Sequence, residues 1–504
     1  MTQSIKRILI ANRGEIAVRI IRACRELGIE SVVVYSDPDA HTIPVRMADR
    51  AVSIGGSAPS ESYLRSDKII EAARQAACDA VHPGFGFLSE NADFAQSALD
   101  AGLIFIGPDP ESIRVMGLKT AALAAVREAG VPTLPGFESA ENLQFYLEGA
   151  RQIGYPVLVK AAAGGGGKGM RVVYTESELI PALESAAREA GKAFADQRVF
   201  LEKYIEEARH IEFQIFGDRA GGLVHLFERE CSVQRRHQKI IEEAPSPYLT
   251  PSLRAQMGES ALKAARAVNY VNAGTVEFIV DARSGAYYFL EMNTRLQVEH
   301  PITELVTGVD LVKLQIRVAA GQPLPFGQAD VAQRGHALEC RIYAEDPASH
   351  FLPQTGTILR AVEPWGPGVR VDSGVGTGDE ISIHYDPMIA KLIVHAGGRE
   401  EAIRRMDAAL AGYVILGLTT NTRFLREVIT SPDFQQGYTT TRLIEQRFSE
   451  WSPAEREAPH PALIAAALGE LLGGVSTTPV TKSSESESDP FSPWSRADGF
   501  RLGG

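Results

Sequence analysis

Short apolar runs alternate with helix-like segments along residues 5–106, and this alternation constrains the fold more than any other feature of the sequence. The predicted strands are Ile8–Ala11, Ser31–Tyr35, Asp79–His82 and Ile104–Ile106. After the first strand we predict a turn with a capping role over residues 12–15, then a helix that ends at Gly28. Strands that alternate with helices in this way form βα units, so we predict a parallel sheet.

A glycine run, residues 164–169, lies between two strand-like runs at 157–160 and 170–174. It falls within a segment from about 131 to 204 that we interpret as a small inserted domain. Consecutive glycines let backbone N–H groups approach an anion closely, which favours a phosphate-binding lid; a mobile hairpin tip is the alternative. A strand follows the run, which excludes a dinucleotide-binding motif, and Ala162 and Gly169 exclude a Walker A loop.

Two carboxylates mark a predicted hairpin of strands 275–280 and 286–291. Glu277 lies among apolar residues of the first strand, where an unpaired charge would be costly, and Glu291 ends the second. A turn near Ser284 places the two opposite one another, with Asn293 on the same strand face. Oxygen ligands of this kind suit Mg²⁺, although a half-exposed hairpin without a metal fits the alternation equally well.

Cationic residues surround these carboxylates in the sequence. Arg295 continues the alternation from Asn293 and suits a small oxyanion, and Glu299 is placed to act as a general base beside it. The basic segment 234–239 is an anion-binding candidate, although charge runs are usually solvated faces. Lys119 at a helix start and Lys160 on a strand are, in isolation, ordinary surface lysines.

Composition limits the class of protein. The chain has 504 residues and a net charge of −12, which argues against nucleic-acid binding and predicts several domains. Its four cysteines are widely separated, which excludes a disulfide scaffold and fits a cytoplasmic protein. The N-terminal apolar run is too short for a signal peptide or a membrane span. Residues 448–504 are rich in Pro, Ala, Ser and Glu, so we predict a linker-like, partly disordered tail with one helix at 461–472.

Four sequence motifs, together with the glycine loop, resemble those of biotin carboxylase, the ATP-grasp component of biotin-dependent carboxylases. The resemblance covers about residues 4–447, and the motifs occur in order. They are Asn12–Ala17, His82–Asn91, Gly164–Gly169, Gln234–Lys239, Glu291–Asn293 and its continuation Thr294–Pro301.

The resemblance implies an α/β ATP-grasp fold with an N-terminal pre-ATP-grasp parallel-sheet domain, a glycine-loop lid and a C-terminal mixed α+β domain. The implied boundaries are 1–115 for the first domain, 116–325 for the ATP-grasp domain with its lid at about 131–204, and 334–447 for the last. It also implies the reaction: ATP phosphorylates bicarbonate to carboxyphosphate, and the ureido nitrogen of biotin is carboxylated.

Site residues follow from the resemblance, position by position. ATP contacts are assigned to Lys119, Lys160, Gly166, Gly167, Glu202, Lys203, Ile205, His210, Gln234 and His237. Two Mg²⁺ or Mn²⁺ ions are assigned to Glu277, Glu291 and Asn293. Bicarbonate is assigned to Lys239, Arg295, Gln297 and Val298, with Glu299 as base, and Arg341 is assigned to the biotin enolate. Lys168 stands where relatives often have Arg, a change that keeps the charge.

Partners are also implied by the resemblance: a biotin carboxyl carrier protein, carboxyltransferase subunits and a second copy in a homodimer, with no nucleic acid and no membrane. The sequence contains no Met-Lys-Met biotinylation site. Biotin is therefore expected in trans, on a separate carrier, or the chain is a shortened α-subunit. The expected complex is acetyl-CoA or another acyl-CoA carboxylase. The alternatives are another ATP-grasp ligase, of carboxylate-amine or carbamoyl-phosphate type, and a non-catalytic scaffold.

Overall fold

The computed structural model describes residues 4–138, 143–161, 170–194, 197–236, 238–454 and 460–472. The N-terminal part contains the strands β1 (Arg7–Ile10), β2 (Glu30–Tyr35), β3 (Arg50–Ser53), β4 (Ala80–His82) and β5 (Ile104–Phe105). Its helices are α1 (Gly14–Leu27), α2 (Ile43–Met47), α3 (Ser66–Gln75), α4 (Ala92–Asp100) and α5 (Pro110–Gly117).

These five strands form a parallel sheet in the order β3-β2-β1-β4-β5, which confirms the predicted βα pattern. Gly28 ends α1 with a left-handed φ of 69°, as predicted. The sequence pattern missed β3, because this short edge strand is largely exposed and lacks an apolar run. The predicted capping role of residues 12–15 is wrong. The start of α1 has no side-chain cap, and Asn12 instead donates to the carbonyls of Pro83 and Phe85.

The next part forms a small separate sheet, which we call the lid sheet. Its elements, together with the preceding helix, are α6 (Lys119–Glu128), β6 (Gly136–Glu138), α7 (Leu143–Ile153), β7 (Val157–Ala161), β8 (Arg171–Val173), α8 (Glu176–Phe194) and β9 (Val199–Lys203). The strand order is β6-β9-β7-β8. A core of its own, with Val159, Leu183 and Leu201, lies between this sheet and helices α7 and α8. The antiparallel pair β7–β8 confirms the predicted strands, and the glycine run between them lies outside the described residues.

The rest of the chain is built on a larger sheet. Its elements start with β10 (Ala208–Gly217), β11 (Leu223–Arg235), β12 (Gln238–Ala244), α9 (Pro251–Arg266), β13 (Asn272–Asp281), β14 (Tyr287–Asn293), α10 (His300–Thr307) and α11 (Leu311–Ala319). They continue with β15 (His336–Tyr343), β16 (Glu345–Asp346), β17 (Leu352–Pro353), β18 (Gly356–Thr357), β19 (Arg360–Val362), β20 (Val369–Ser373), β21 (Glu380–Ile381) and β22 (Met388–Ala396). The last are α12 (Arg399–Gly412), β23 (Val414–Leu416), α13 (Thr422–Ile429), α14 (Pro432–Gln435) and α15 (Leu443–Phe448).

Eight of these strands form one antiparallel sheet, the large sheet, in the order β14-β13-β10-β11-β12-β15-β22-β20. The predicted hairpin of 275–280 with 286–291 is present in it as β13 with β14. The apolar runs 211–216 and 223–227, which the sequence also predicts to pair as a hairpin, lie in β10 and β11, which pair with each other. The resemblance implies a domain boundary within residues 325–334. Strand β12, before this boundary, nevertheless pairs with β15, after it. Strands from the two regions therefore share one hydrogen-bonded body.

A β-bulge interrupts the pairing of β13 with β14. Glu277 lies opposite Glu291, but the next residue, Phe278, lies opposite Phe289, so β14 has one extra residue at Leu290. Phe289 and Glu291 would share a face in a regular strand, because side chains alternate. The bulge instead lets Phe289 enter the core, where it is 2 % exposed, while Glu291 faces the opposite side with Glu277.

A separate unit begins at Ala454. Its described helix is α16 (His460–Leu472), which confirms the helix predicted in the tail; residues 473–504 lie outside the described residues. Within the parts of the chain that the structure describes, no helix has the combination of length and apolar character that crossing a membrane requires.

Candidate active site

One face of the large sheet carries polar side chains at alternate strand positions. His210, Glu212 and Gln214 share this face of β10, because side chains two residues apart point the same way. In the strand register, Glu212 lies opposite Arg229 of β11 on one side and Glu277 of β13 on the other. All five residues are buried, so each charge on this face requires a partner.

Lys239 is the common partner of three carboxylates. Its Nζ lies 2.6 Å from Glu212 Oε2, 2.8 Å from Glu277 Oε1 and 2.7 Å from Glu299 Oε1. Burial would lower the pKa of Lys239, but these three carboxylates outweigh it and raise the pKa well above its ordinary value. Lys239 is therefore charged at neutral pH and holds three acidic side chains around one point.

Glu299 lies between two cations. Its Oε1 accepts from Lys239, and its Oε2 accepts from Arg341 Nη2 at 3.0 Å. Burial alone would raise the pKa of Glu299, but Lys239, Arg341 and Arg229 lower it well below its ordinary value. Arg341 is itself fixed by Glu242, which accepts from its Nε at 2.7 Å. Glu299 is thus an ionised carboxylate, as a general base must be, with both oxygens aimed into a cationic pocket.

Arg229 supports this arrangement from within the protein. It is completely buried, and its guanidinium donates to Glu212, to two glutamine side chains and to two threonine hydroxyls. One of those glutamines is Gln297, whose Nε2 donates to Glu277 Oε1 at 2.9 Å. Arg229 therefore neutralises Glu212 and fixes the side chain of Gln297 in one position.

The predicted carboxylate pair is brought together. Glu277 and Glu291 are opposite one another in the register, and Asn293 Nδ2 donates to Glu277 Oε1 at 2.9 Å. Glu277 also lies 2.8 Å from His210 Nε2. Burial would raise the pKa of Glu277, but Lys239 and His210 lower it well below its ordinary value. The surrounding protein, together with the Glu277 charge, raises the pKa of Glu291. A second cation beside Glu291 would relieve this repulsion.

His210, Glu212 and Glu277 also lie close enough to one another to hold a metal ion, as do Glu212, Cys231 and Glu299. Lys239 Nζ is within hydrogen-bond distance of all the carboxylates in both groups. Its ammonium already supplies the positive charge that these groups need. The pair of Glu277 with Glu291 at the sheet edge is therefore the better candidate for a divalent ion.

Arg295 lies beside this pair for a reason other than the predicted alternation. Strand β14 ends at Asn293, and Arg295 follows it in irregular chain. Its Nη2 donates to Asn293 Oδ1 at 2.9 Å, and its Nε donates to Glu90 Oε2 at 2.9 Å. Glu90 also accepts from the backbone N–H of Thr294, so a residue of the N-terminal part fixes this guanidinium.

Of the predicted nucleotide contacts, Lys160 and Lys119 face the site together. Lys160 on β7 pairs with Glu202 on β9 at 2.5 Å. Lys119 begins α6; partial burial and the neighbouring Lys160 charge lower its pKa, against the opposing effects of Glu291 and Glu202. The ammonium of Lys203 instead donates to the carbonyls of Gly154 and Tyr155, within the lid-sheet region. Only the backbone of Lys203 is left for a nucleotide contact.

The remaining predicted residues divide into two groups. Gln234 on β11 lies opposite Lys239 in the register, and Ile205 follows β9 at the connection to β10. Val298 accepts from Lys391 through its backbone carbonyl. Gly166, Gly167, Lys168 and His237 lie outside the described residues.

Sequence reasoning missed Glu212, Arg229, Glu242 and Glu90. For Glu212 a signal was present, because polar residues alternate with apolar ones through His210, Glu212 and Gln214 of a predicted strand. Arg229 lies between Glu228 and Glu230, so alternation does not single it out. Glu242 and Glu90 meet their arginines across 99 and 205 residues of sequence, which no local pattern reveals.

Family models match three consecutive parts of the chain. Residues 4–113 match "Biotin carboxylase, N-terminal domain", and residues 339–446 match "Biotin carboxylase C-terminal domain". Residues 119–326, between them, match "Carbamoyl-phosphate synthase L chain, ATP binding domain". The middle model is named for another ligase class, and both flanking models are named for biotin carboxylase.

Curated relatives agree with these matches. The chain is 48% identical over 501 residues to the alpha chain of mitochondrial methylcrotonoyl-CoA carboxylase of Mus musculus, which covers 99% of this chain and 70% of that protein. It is 52% identical over 441 residues to biotin carboxylase of Nostoc sp., which covers 87% of this chain and 98% of that protein. A pyruvate carboxylase component of Methanothermobacter thermautotrophicus is 52% identical over 443 residues, 87% of this chain and 89% of that protein.

A solved structure extends the likeness to the fold. The biotin carboxylase domain dimer of Hydrogenobacter thermophilus 2-oxoglutarate carboxylase, in complex with MgADP, ADP and bicarbonate, is 47% identical. It matches with a TM-score of 0.86 over 90% of this chain and 100% of that one. The predicted ATP-grasp fold class is confirmed. The chain belongs to the biotin carboxylase family, and it is an ATP-dependent ligase that supplies the biotin carboxylase activity of a biotin-dependent carboxylase.

Proposed function

We propose that this chain carries out the first half-reaction of an acyl-CoA carboxylase, in which ATP and bicarbonate carboxylate biotin on a separate carrier protein. The single observation that supports it best is the placement of Glu299, whose two carboxylate oxygens accept from Lys239 and Arg341. An ionised base therefore lies between two cations. One is Lys239, which also binds Glu212 and Glu277, and the other is Arg341 on β15.

Two lysines and a carboxylate pair form the nucleotide part of the proposed site. Lys119 and Lys160 neutralise phosphate charge, and Glu202, Ile205, the Lys203 backbone, His210 and Gln234 contact the rest of ATP. Phosphoryl transfer needs alignment and charge neutralisation more than covalent chemistry. Lys160 exchanges its present partner Glu202 for a phosphate oxygen, so the exchange replaces one charge-assisted hydrogen bond with another. Gly166, Gly167 and His237 complete this set by resemblance.

Glu277, Glu291 and Asn293 fit a divalent ion. Two cross-strand carboxylates and an amide oxygen are hard oxygen donors, and desolvation by the surrounding protein together with the Glu277 charge raises the pKa of Glu291, which its cationic neighbours do not offset. When bound there, Mg²⁺ or Mn²⁺ supplies charge stabilisation for the transferring phosphoryl group. The chain holds these ligands in place through Asn293, which binds both Glu277 and Arg295.

Bicarbonate occupies the pocket beside Glu299 in this proposal. Arg295 and Lys239 supply positive charge, and Gln297 and the Val298 backbone supply directional hydrogen bonds. As a bicarbonate oxygen attacks the terminal phosphate of ATP, Glu299 accepts the bicarbonate proton. The products are ADP and carboxyphosphate, and in this proposal closure of the lid protects carboxyphosphate from water.

Arg341 serves the second part of the reaction. The ureido nitrogen of biotin is a very weak acid, and its deprotonation places negative charge on the ureido oxygen. The Arg341 guanidinium, aligned by Glu242, stabilises that charge through preorganised hydrogen bonds. Carboxyphosphate breaks down to CO₂ and phosphate, the phosphate accepts the ureido proton, and the ureido nitrogen then forms its bond to the carbon of CO₂.

A second copy of this chain is the proposed homodimer partner. Leu359, Val362, Val414 and Leu416 are exposed apolar side chains on and next to the pair β19–β23, and Trp365 is 90 % exposed nearby in sequence. A contiguous apolar surface of this kind is typical of a protein interface. Light scattering of wild type and Leu416→Asp tests it: a dimer that becomes monomeric on substitution supports this surface, and an unchanged dimer places the interface elsewhere.

The activity is tested by ADP release in the presence of ATP, Mg²⁺, bicarbonate and free biotin. We expect ADP release to require bicarbonate and to rise with biotin, and Glu299→Gln to suppress turnover by about a hundredfold or more while nucleotide still binds. ATP turnover that ignores both bicarbonate and biotin would refute the proposal.

The acyl-CoA is selected by the carboxyltransferase, so it is tested on the native complex. Affinity isolation followed by mass spectrometry is expected to recover a biotinylated carrier and a carboxyltransferase. The isolated complex is then supplied with acetyl-CoA, methylcrotonoyl-CoA and pyruvate in parallel. Carboxylation of pyruvate instead of an acyl-CoA would overturn the acyl-CoA part of the proposal and leave the biotin carboxylase activity intact.

A further inference from the structure

Two successive peptide groups in the segment that carries Glu299 are each held by a buried side chain. Lys391 Nζ donates to the carbonyl oxygen of Val298 at 2.8 Å. His300 Nδ1 lies 2.7 Å from the carbonyl oxygen of Gln297. Because a peptide group is planar, fixing the Val298 carbonyl also fixes the N–H and Cα of Glu299, and fixing the Gln297 carbonyl fixes the N–H of Val298.

Lys391 is an unusual residue to find in this position. It lies on β22 opposite Arg341 of β15, and its side chain is 0 % exposed. Its ammonium lies 3.2 Å from Glu15 Oε2 and 3.8 Å from Asp372 Oδ2. Asp372 is already neutralised by Arg370, which pairs with it at 2.7 Å. Glu15 is therefore the carboxylate whose charge depends on Lys391.

The first turn of α1 holds Glu15 against this lysine. Gly374, just after β20, packs so closely on that turn that an added Cβ would lie 2.3 Å from the carbonyl carbon of Gly14 and 2.5 Å from Glu15 N. Glu15 cannot move away from the sheet without separating these two backbones. Neither oxygen of Glu15 has a hydrogen-bond partner among the described residues beyond this ion pair, so its position serves Lys391.

Two N-terminal sequence motifs therefore meet at one ammonium group. Glu15 belongs to the segment 12–17, and Phe85, whose ring centre lies 5.9 Å from Lys391 Nζ, belongs to the segment 82–91. Asn12 ties the segments together by donating to the carbonyls of Pro83 and Phe85, each at 2.7 Å. Both segments thus pack around the lysine that holds the Val298 carbonyl.

We propose that Lys391 and Glu15 are positioning residues for the reaction: Lys391, held by Glu15, orients the Val298–Glu299 peptide group and thereby the bicarbonate pocket and the base. This role rests on the proposed function of Glu299, and it assigns a purpose to the N-terminal motifs that the substrate contacts leave unused. Strand β22 and helix α1 are thus connected to the base through a single hydrogen bond.

Lys391→Met tests the role by removing the donor while keeping side-chain length. We expect kcat to fall and KM for bicarbonate to rise, with kcat/KM for bicarbonate reduced about tenfold or more, as for loss of a hydrogen bond from a charged donor. KM for ATP is expected to stay unchanged, because the lysines assigned to the phosphates lie on other elements. A general loss of structure would affect both substrates alike.

The double variant Lys391→Met/Glu15→Gln separates positioning from folding. Lys391→Met alone leaves Glu15 as an unpaired buried carboxylate and is expected to lower Tm, whereas the double variant removes both charges and is expected to recover Tm. The Val298 carbonyl still lacks its donor, so the bicarbonate defect should persist in the double variant. Recovery of kcat/KM for bicarbonate together with Tm would overturn the inference.

Arg254→Met provides a matched control. Arg254 pairs with the buried Glu228, but on the side of the large sheet that faces α9, away from Glu299. We expect a lower Tm with KM for bicarbonate unchanged. A wild-type enzyme without bicarbonate-dependent turnover would refute the proposed function itself, whereas an active wild type with an unaffected, folded Lys391→Met variant would refute only the positioning role.

Discussion

Lys160 and Lys239 are almost equally exposed, at 13 % and 12 % of their side chains, but the two regions that carry them treat the charge differently. In the lid sheet, Lys160 has one carboxylate partner, Glu202. In the large sheet, Lys239 has three partners on three different elements. Exposure therefore does not distinguish them, whereas the number of fixed partners does.

This difference matches what each region has to do. A lysine with one partner can exchange it for a phosphate oxygen at small cost, which suits a substrate that arrives and leaves. A lysine with three buried partners cannot move without leaving carboxylates uncompensated, so it keeps the base in place between turnovers. The large sheet is preorganised, and the lid sheet is adaptable.

The largest effect is expected for Lys239→Met. Its loss leaves Glu212, Glu277 and Glu299 facing one another without their common cation, so we expect kcat to fall about a hundred- to a thousandfold. Steady-state ADP release measures it. Lys263→Met, at an exposed position of α9, is the control and should retain wild-type kcat. A loss of less than threefold in Lys239→Met, relative to that control, would show that the three carboxylates do not depend on this lysine.

A core substitution in each region comes next. Leu183→Ala in the lid-sheet core and Leu392→Ala in the large sheet each remove a buried leucine and are expected to cost about 2–5 kcal/mol. Hydrogen exchange should show faster exchange confined to the lid sheet for Leu183→Ala. For Leu392→Ala it should show faster exchange across β10–β15 and β22. If both substitutions increased hydrogen exchange equally throughout the chain, the lid sheet and the large sheet would not have separate cores.

A smaller effect is expected for Lys160→Met. The lost contact is one charge-assisted hydrogen bond to nucleotide, so KM for ATP should rise about tenfold while KM for bicarbonate stays unchanged. Lys192→Met, at an exposed position on α8, is the matched lid control. If Lys160→Met raised KM for bicarbonate instead, the two regions would not divide the substrates as proposed.

The smallest effect is expected for Glu339→Gln. Glu339 is buried opposite Glu242, and neither of its oxygens has a hydrogen-bond partner among the residues that the structure describes. Burial raises the pKa of Glu339 well above 4.5; the Glu242 and Glu299 charges add to this and outweigh Lys391 and Arg341. Protonation of this carboxyl is therefore favoured, and glutamine, which is neutral and similar in shape, should preserve activity.

The difference in Tm between Glu339→Gln and wild type is expected to change with pH in one direction. The folded state keeps a proton on Glu339 that the unfolded state releases above pH 4.5, so this group destabilises the wild type as pH rises toward its folded pKa. Glutamine does not titrate. The Tm of Glu339→Gln should therefore rise relative to that of wild type as the pH increases above 4.5. If the Tm of wild type instead rose relative to that of the variant over this range, the buried carboxyl would be ionised in the folded protein.

Local patterns in the sequence accounted for most strands of the N-terminal sheet and for the hairpin that carries Glu277 and Glu291. A short turn fixes which residues lie opposite each other, but the regular register from this turn would place Glu277 opposite Leu290. The bulge at Leu290, which alternation does not reveal, brings Glu291 opposite Glu277. Arg295 was placed correctly beside Asn293 but for the wrong reason, since a hydrogen bond and not strand alternation brings them together.

The residues that hold the site residues in place could not be found from local sequence patterns. Arg341 meets Glu242, and Lys391 meets Val298, across about ninety to a hundred residues of sequence. These contacts exist only because β12, β15 and β22 are neighbours in one sheet, which the order of elements along the chain does not reveal. The interpretation of residues 12–15 as a capping turn failed for the same reason, because the partners of Asn12 lie in the loop after β4.

The extra residue in β14 makes the metal-ligand edge tolerant of change at one position. Leu290 can be exchanged for another apolar residue without altering which way its neighbours point. Deleting it would make Phe289 and Glu291 consecutive residues of a regular strand, where alternation alone places them on opposite faces and keeps them opposite Phe278 and Glu277. Homologous sequences are therefore expected to include chains that lack the residue at position 290.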